Sequence, residues 1–193
     1  KHLFYEFMRN IVLILLVALL LTGCDLFSVR DSEPPAAQIP WIDFTTEVDS
    51  VLLNLEYSYE YPQNAVNYAR LFSSDYVFHF APQDVSDFSI EQTWTRVQEQ
   101  DMIQVLHNRY KNMQVTLEKV DDQDQIESAQ AKIYRQYNIT GISRNEGKEV
   151  LTLAEGNMEL HLKKEYGYWY ITKWYDYRSS NVPTWGKLKY ENH

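Results

Sequence analysis

The chain has 193 residues, 27 of them acidic and 18 basic, for a net charge of −9. An acidic surface repels phosphate backbones, so no nucleic-acid partner is expected. Six glycines scattered singly leave no phosphate-cradling loop for ATP or a dinucleotide. The single cysteine permits no internal disulfide, and five separated histidines without HxxxH or paired-carboxylate spacing form no metal site; the sequence calls for no cofactor.

The first element is an unbroken apolar run, Ile11 to Leu21, preceded by Lys1, His2 and Arg9 and followed by Thr22-Gly23. It would span only about 16 Å as a helix, against a hydrocarbon core of about 30 Å. Basic, apolar and small residues in that order are the pattern of a secretory signal peptide, set apart from the fold as residues 1–23. Leu21-Thr22-Gly23-Cys24 resembles the lipobox of bacterial lipoproteins. That resemblance implies a diacylglyceryl group on the Cys24 thiol, cleavage before Cys24 and an acylated new amino terminus. The protein would then be membrane-attached through its lipid, on the extracytoplasmic face of the cell envelope. In enterobacterial lipoproteins, which this segment resembles, an aspartate such as Asp25 favours the inner membrane. With Cys24 lipidated, no thiol remains for catalysis or cross-linking, and the domain depends on its core.

From Cys24 to Thr45 the chain has three prolines between Asp25 and Pro40 and few large apolar residues, the composition of an extended tether. Residues 46–178 form one domain, and 179–193 a C-terminal tail. Thr46 caps a first helix whose Val48, Val51, Leu52, Leu55 and Tyr59 make one apolar stripe. Pro62 starts a second helix with Ala65, Tyr68, Ala69 and Phe72, ended by Ser73-Ser74-Asp75. A strand follows at Tyr76–Phe80, with Tyr76, Phe78 and Phe80 on one face and Val77 and His79 on the other. After an APQD turn, Ser89 and Gln92 form a capping box for a long third helix reaching about His107 and carrying Trp94.

The period then changes to two. Met113, Val115 and Leu117 define one strand, and Ala129 to Ile139 another. Between Glu149 and Lys164 the apolar parity changes from Leu151 and Leu153 to Met158, Leu160 and Leu162, which predicts a bulge near Ala154 to Gly156. The last strand is Tyr168–Arg178, and the tail holds Pro183, Trp185 and Gly186.

Three features carry a resemblance: NYARLFSSDYVFHF (Asn67 to Phe80), Trp94, and YWYITKWYDYR (Tyr168 to Arg178). Together with the element order they resemble the nuclear-transport-factor-two-like superfamily, also called the SnoaL-like or cystatin-like cone. That resemblance implies an α+β fold in which a curved antiparallel sheet wraps around a long helix, with two further N-terminal helices. It also implies a pocket between the sheet and the helices. In the enzymatic branches an acid or base works there, a tyrosine with carboxylates in isomerases and a histidine with an aspartate in dehydratases.

The matching residue types here are His79, Tyr134 and Asp176. His79 has a neutral-range pKa suited to a general base, or is an ordinary strand histidine. Asp176 sits among aromatic residues, where burial raises its pKa unless Arg178, two residues on, pairs with it. Tyr134 occupies the polar face of its strand. The 15 tyrosines and 5 tryptophans either line an apolar pocket, with Tyr68, Trp94 and Trp174 as its candidates, or build an ordinary core. The leading reading is a non-enzymatic lipoprotein domain binding a small apolar ligand or a partner protein. The alternatives are an isomerase or dehydratase using Asp176 and His79 for proton transfer, with Tyr134 as hydrogen-bond donor, and an envelope-assembly protein forming a homodimer through its sheet.

The anchor is directly testable. In a bacterial host the chain should take up labelled palmitate and fractionate with membranes, and Cys24→Ser should abolish both; unchanged processing in that variant would refute the lipobox reading.

Overall fold

The computed structural model describes residues 38–193, and one compact unit runs from Ile39 to His193. The expected signal peptide, Cys24 and most of the expected tether lie outside the described residues. Among the described residues no helix is long and apolar enough to cross a membrane.

Helix α1 (Val48–Glu60) forms where the apolar stripe requires it and buries Val48, Val51, Leu52, Leu55 and Tyr59. Its buried Asn54 donates to the Ile42 carbonyl and accepts from the Ile42 amide, both at 2.8 Å. Residues 39–45 are thereby part of the fold, which begins earlier than Thr46 and continues past Arg178 to the end of the chain.

The expected second helix is replaced by two short 3₁₀ turns, Pro62–Val66 and Tyr68–Leu71. Strand β1 (Phe72–His79) starts at once, so Ser73-Ser74-Asp75 lies inside a strand. The segment after it is helix α2 (Pro82–Phe88), nucleated by a proline at its first turn. Trp94 belongs to a short strand, β2 (Thr93–Thr95), paired with Phe78, and not to the long helix. Helix α3 (Arg96–Arg109) begins six residues later than the expected Ser89 cap would place it. Its start is set by Thr95 and Gln98, whose side chain accepts from the Thr95 amide at 2.9 Å.

Strands β3 (Tyr110–Lys119), β4 (Gln125–Ile126), β5 (Gln130–Ser143), β6 (Leu151–Glu165) and β7 (Tyr168–Tyr177) complete a seven-stranded sheet. Its order is β2-β1-β7-β6-β5-β3, with β4 on β5, and only β1 and β7 run parallel. The sheet curls into a half-barrel cone whose inner face holds the core together with α1 and α3. The phase change in β6 is a bulge: Ile139 pairs with Ala154 and Thr140 with Thr152, which leaves Leu153 unpaired. Tyr166 and Gly167, both at positive φ, form the two-residue turn that joins β6 to β7.

The C-terminal segment departs most from expectation. Instead of trailing away it forms helix α4 (Trp185–Tyr190), capped by the Thr184 hydroxyl, and buries Trp185, Leu188 and Lys189.

One glycine is fixed by close approach. A Cβ on Gly156 would collide with the Tyr137 hydroxyl and the Tyr177 carbonyl. Gly156→Ala should therefore destabilise the domain by about 1–3 kcal/mol, the usual cost of overpacking. Urea denaturation measures this; an unchanged or higher midpoint would show that the wall at Tyr137 yields freely.

Candidate functional site

Strand alternation determines which candidate residues meet. On β1 and β7, His79 pairs with Tyr175 and Phe78 with Trp174. Consecutive strand residues point to opposite faces, so His79 and Tyr175 lie on the outer face of the cone and Trp174 and Asp176 inside it. The His79 ring stacks on Tyr175 with centroids 4.3 Å apart. Its pKa is pushed below the ordinary histidine value by partial burial and by Lys173 and His161. Tyr134 continues the outer row, opposite Glu159, which is itself opposite Tyr175. His79 and Tyr134 thus share a face, and the Asp176 carboxylate faces away from both. The structure does not assemble the proton-transfer set of His79 and Asp176.

Asp176 is 1% exposed. One carboxylate oxygen accepts from the Tyr137 hydroxyl at 2.6 Å, and the other from the Gly186 amide at 2.6 Å. Burial pushes its pKa up to about 6, against the lowering effect of those two donors and of Lys189. Arg178 does not pair with it: the guanidinium instead binds Asp84 and Asp87, which ties β7 to α2.

A second carboxylate lies deeper. Glu99, wholly buried on α3, accepts from Tyr68 Oη at 2.8 Å, Tyr76 Oη at 2.9 Å and Lys189 Nζ at 2.7 Å. Burial, then the charge of Glu99, raises the pKa of both tyrosines well above its usual value. The Lys189 ammonium stands 3.7 Å from the centroid of Trp174 and 3.8 Å from that of Phe78, and burial lowers its pKa to about 8. Trp185 fills the adjoining space and donates from Nε1 to the Tyr59 hydroxyl at 2.7 Å.

Of the three expected pocket residues, Tyr68 and Trp174 border this interior, which α4 fills with Trp185, Leu188 and Lys189. Trp94 packs between Phe80 and His193 nearer the chain end. Sequence reasoning passed over Glu99, Tyr137, Trp185 and Lys189. The only signal for the last two was the spacing of Trp185, Leu188 and Lys189 on one side of a short helix.

Accessible concavities lie elsewhere, one of them of about 530 Å³ beside Trp41, Phe44, Arg70 and Tyr168. A groove of about 550 Å³ lies between α2 and the outer sheet face, lined by His79, Phe80, Pro82, Val85, Ser86, Gln92, Tyr175 and Tyr177. Asp176 contributes to its wall while its carboxylate turns inward.

The raised pKa of Asp176 makes a signed prediction. The folded state holds a proton up to about pH 6, whereas the unfolded chain releases it near 3.8. This group's contribution is therefore fully present below pH 3.8 and is lost between there and pH 6, by about 3 kcal/mol in all. Asp176→Asn should remove that loss, so the stability difference between wild type and variant, from urea titrations at pH 4 and 7, should move by up to about 3 kcal/mol against the wild type at the higher pH. A pH-independent difference would refute this.

No protein-family model matches the chain, and no curated protein matches it. Solved structures do. A candidate scytalone dehydratase from Novosphingobium aromaticivorans is similar with a TM-score of 0.54 at 12% identity, covering 72% of this chain and 91% of that one. A nuclear transport factor 2-like superfamily protein from Salmonella enterica gives 0.52 at 12% identity, covering 71% and 92%. A Nostoc punctiforme protein of unknown function with a cystatin-like fold gives 0.50 at 12% identity, covering 71% and 92%. At these identities the likeness is one of fold, and the fold of this chain is the cystatin-like, nuclear-transport-factor-two-like cone.

Proposed function

We propose that the chain is a lipid-anchored domain of a bacterial cell envelope, held through Cys24 on the extracytoplasmic face, that binds a small apolar or amphipathic ligand without transforming it. The observation that carries the binding reading is the groove between α2 and the outer sheet. Its volume of about 550 Å³ falls within the roughly 300–1,000 Å³ typical of small-ligand sites. Phe80, Pro82, Val85 and Tyr175 offer apolar contact, and His79, Ser86 and Gln92 supply a few polar groups to orient a ligand. A catalytic reading has less support. The carboxylate it needs is turned into the core, with both oxygens occupied by Tyr137 and Gly186.

The test uses the neutral probe N-phenyl-1-naphthylamine and the full chain. Its fluorescence should report saturable binding, and Val85→Glu in the groove wall should weaken that binding by roughly tenfold or more, since a carboxylate would be buried against an apolar ligand. Val66→Glu, at an exposed apolar position away from the groove, should leave affinity unchanged. Equal affinity in wild type and Val85→Glu would remove the groove from consideration.

A further inference from the structure

We propose that the concavity beside residues 39–45 binds a small aromatic carboxylate, with Arg96 and Arg70 holding the acid head and the aromatic wall covering the ring. It shares no lining residue with the groove beside α2, so either reading can fail without the other.

The walls are built and fixed. Residues 39–45 form an irregular strap whose course is set by buried side-chain amides. Asn54 on α1 bonds both backbone groups of Ile42, and Asn64 in the first 3₁₀ turn donates to the Pro40 carbonyl at 2.8 Å. The Thr45 carbonyl accepts from the Trp169 amide at 2.8 Å, which fastens the strap to the start of β7. Phe44 stacks on Tyr168 with centroids 5.7 Å apart, yet stays 66% exposed. That leaves apolar ring area in water for a ligand to cover. Tyr168 and Tyr170 alternate with buried Trp169 and Ile171, so both stand on the outer face of β7. At about 3.3 Å per residue they lie roughly 20–26 Å along the strand from Asp176. The concavity is therefore at the opposite end of β7 from the interior that α4 fills.

Its charge is the selective feature. Arg96 and Arg70 both line it, and Arg96 Nε donates to the Ala69 carbonyl at 2.8 Å, which fixes one guanidinium beside the residue that precedes the other. Among the described residues no carboxylate pairs with Arg96, although the chain carries a net charge of −9 and both Arg135 and Arg178 are paired with acids. Arg70 lies over the Trp41 ring at 5.6 Å and reaches Asp43 only at 3.4 Å, with both side chains more than half exposed; a pair of this kind contributes little. Glu165, the other acid of the wall, is engaged by Lys163 at 2.8 Å. One positive charge is thus left over beside an aromatic surface. A carboxylate matches a guanidinium with two parallel N–H donors, whereas a dianionic phosphate would meet repulsion from Asp43 and Glu165. The volume of about 530 Å³ is of the size that holds a small organic acid.

Calorimetric titration of the full chain tests this with 2-naphthylacetate and its neutral amide, which differ only in the charged head. The acid should bind saturably and roughly tenfold or more tightly than the amide. In Arg70→Gln/Arg96→Gln that preference should disappear. Absence of saturable binding, equal affinity for acid and amide in the wild type, or a preference that survives in the double variant would overturn the proposal. Arg70→Gln alone, at an exposed position, should lower the preference severalfold, and an unchanged preference there decides against the site if the double variant does not fold. Val85→Glu, in the wall of the α2 groove, should leave the affinity for the acid unchanged; a loss would place the acid in that groove and remove this site.

Discussion

Two carboxylates inside an aromatic cone set the terms for the rest of this structure. Asp176 and Glu99 are both shielded from water, and a buried charge persists only when hydrogen bonds and counter-charges replace its hydration. The sheet and helices supply the tyrosines, Tyr137 for Asp176 and Tyr68 with Tyr76 for Glu99. The remaining partners, the Gly186 amide and the Lys189 ammonium, come from the last ten residues. The C-terminal segment is therefore the electrostatic complement of the cone and not a terminal appendage.

That arrangement also separates the two faces of the sheet by chemistry. Inside, Tyr137 Oη donates to Asp176 and accepts from the Trp185 amide at 2.8 Å, so one hydroxyl links strand β5, the carboxylate and helix α4. Outside, His79, Tyr175, Glu159 and Tyr134 form one cross-strand row, in which His161 and the Tyr177 hydroxyl also bond Glu159. A strand has no means of bringing Tyr175 and Asp176 to the same side. Any activity of His79 must therefore be exercised on the outer face, with the groove beside α2 rather than the cone interior.

Much of this was legible beforehand where a period was long enough to count. The α1 stripe, the alternation of β5 and the parity change in β6 each follow from burial on one face, and the resulting cone was readable as an α+β fold. Residues 62–71 were misread because Ala65, Tyr68 and Phe72 have helical spacing, whereas two 3₁₀ turns bury Ala65 and Tyr68 equally well and release the chain into β1 sooner. Helix α2 carries only Val85 and Phe88 as large apolar residues, and it is held to the fold largely by Asp84 and Asp87, which pair with Arg178, and by the Thr184 hydroxyl that donates to Asp84, all ninety or more positions away in sequence. A periodicity argument has no access to a contact of that range.

The burial of α4 was illegible for a related reason. Lysine is among the residues least often buried, so Lys189 reads as solvent-facing on any local criterion. Only a partner placed elsewhere makes its burial tolerable, and Glu99 reads as equally surface-bound within its own helix. Each charge conceals the other, because neither pattern is anomalous until the two segments are brought together. In a cone of this kind the buried acid and the buried base therefore have to be sought as a pair across the fold, and the residue that completes the interior can lie in the part of the chain that composition alone would set aside as a tail.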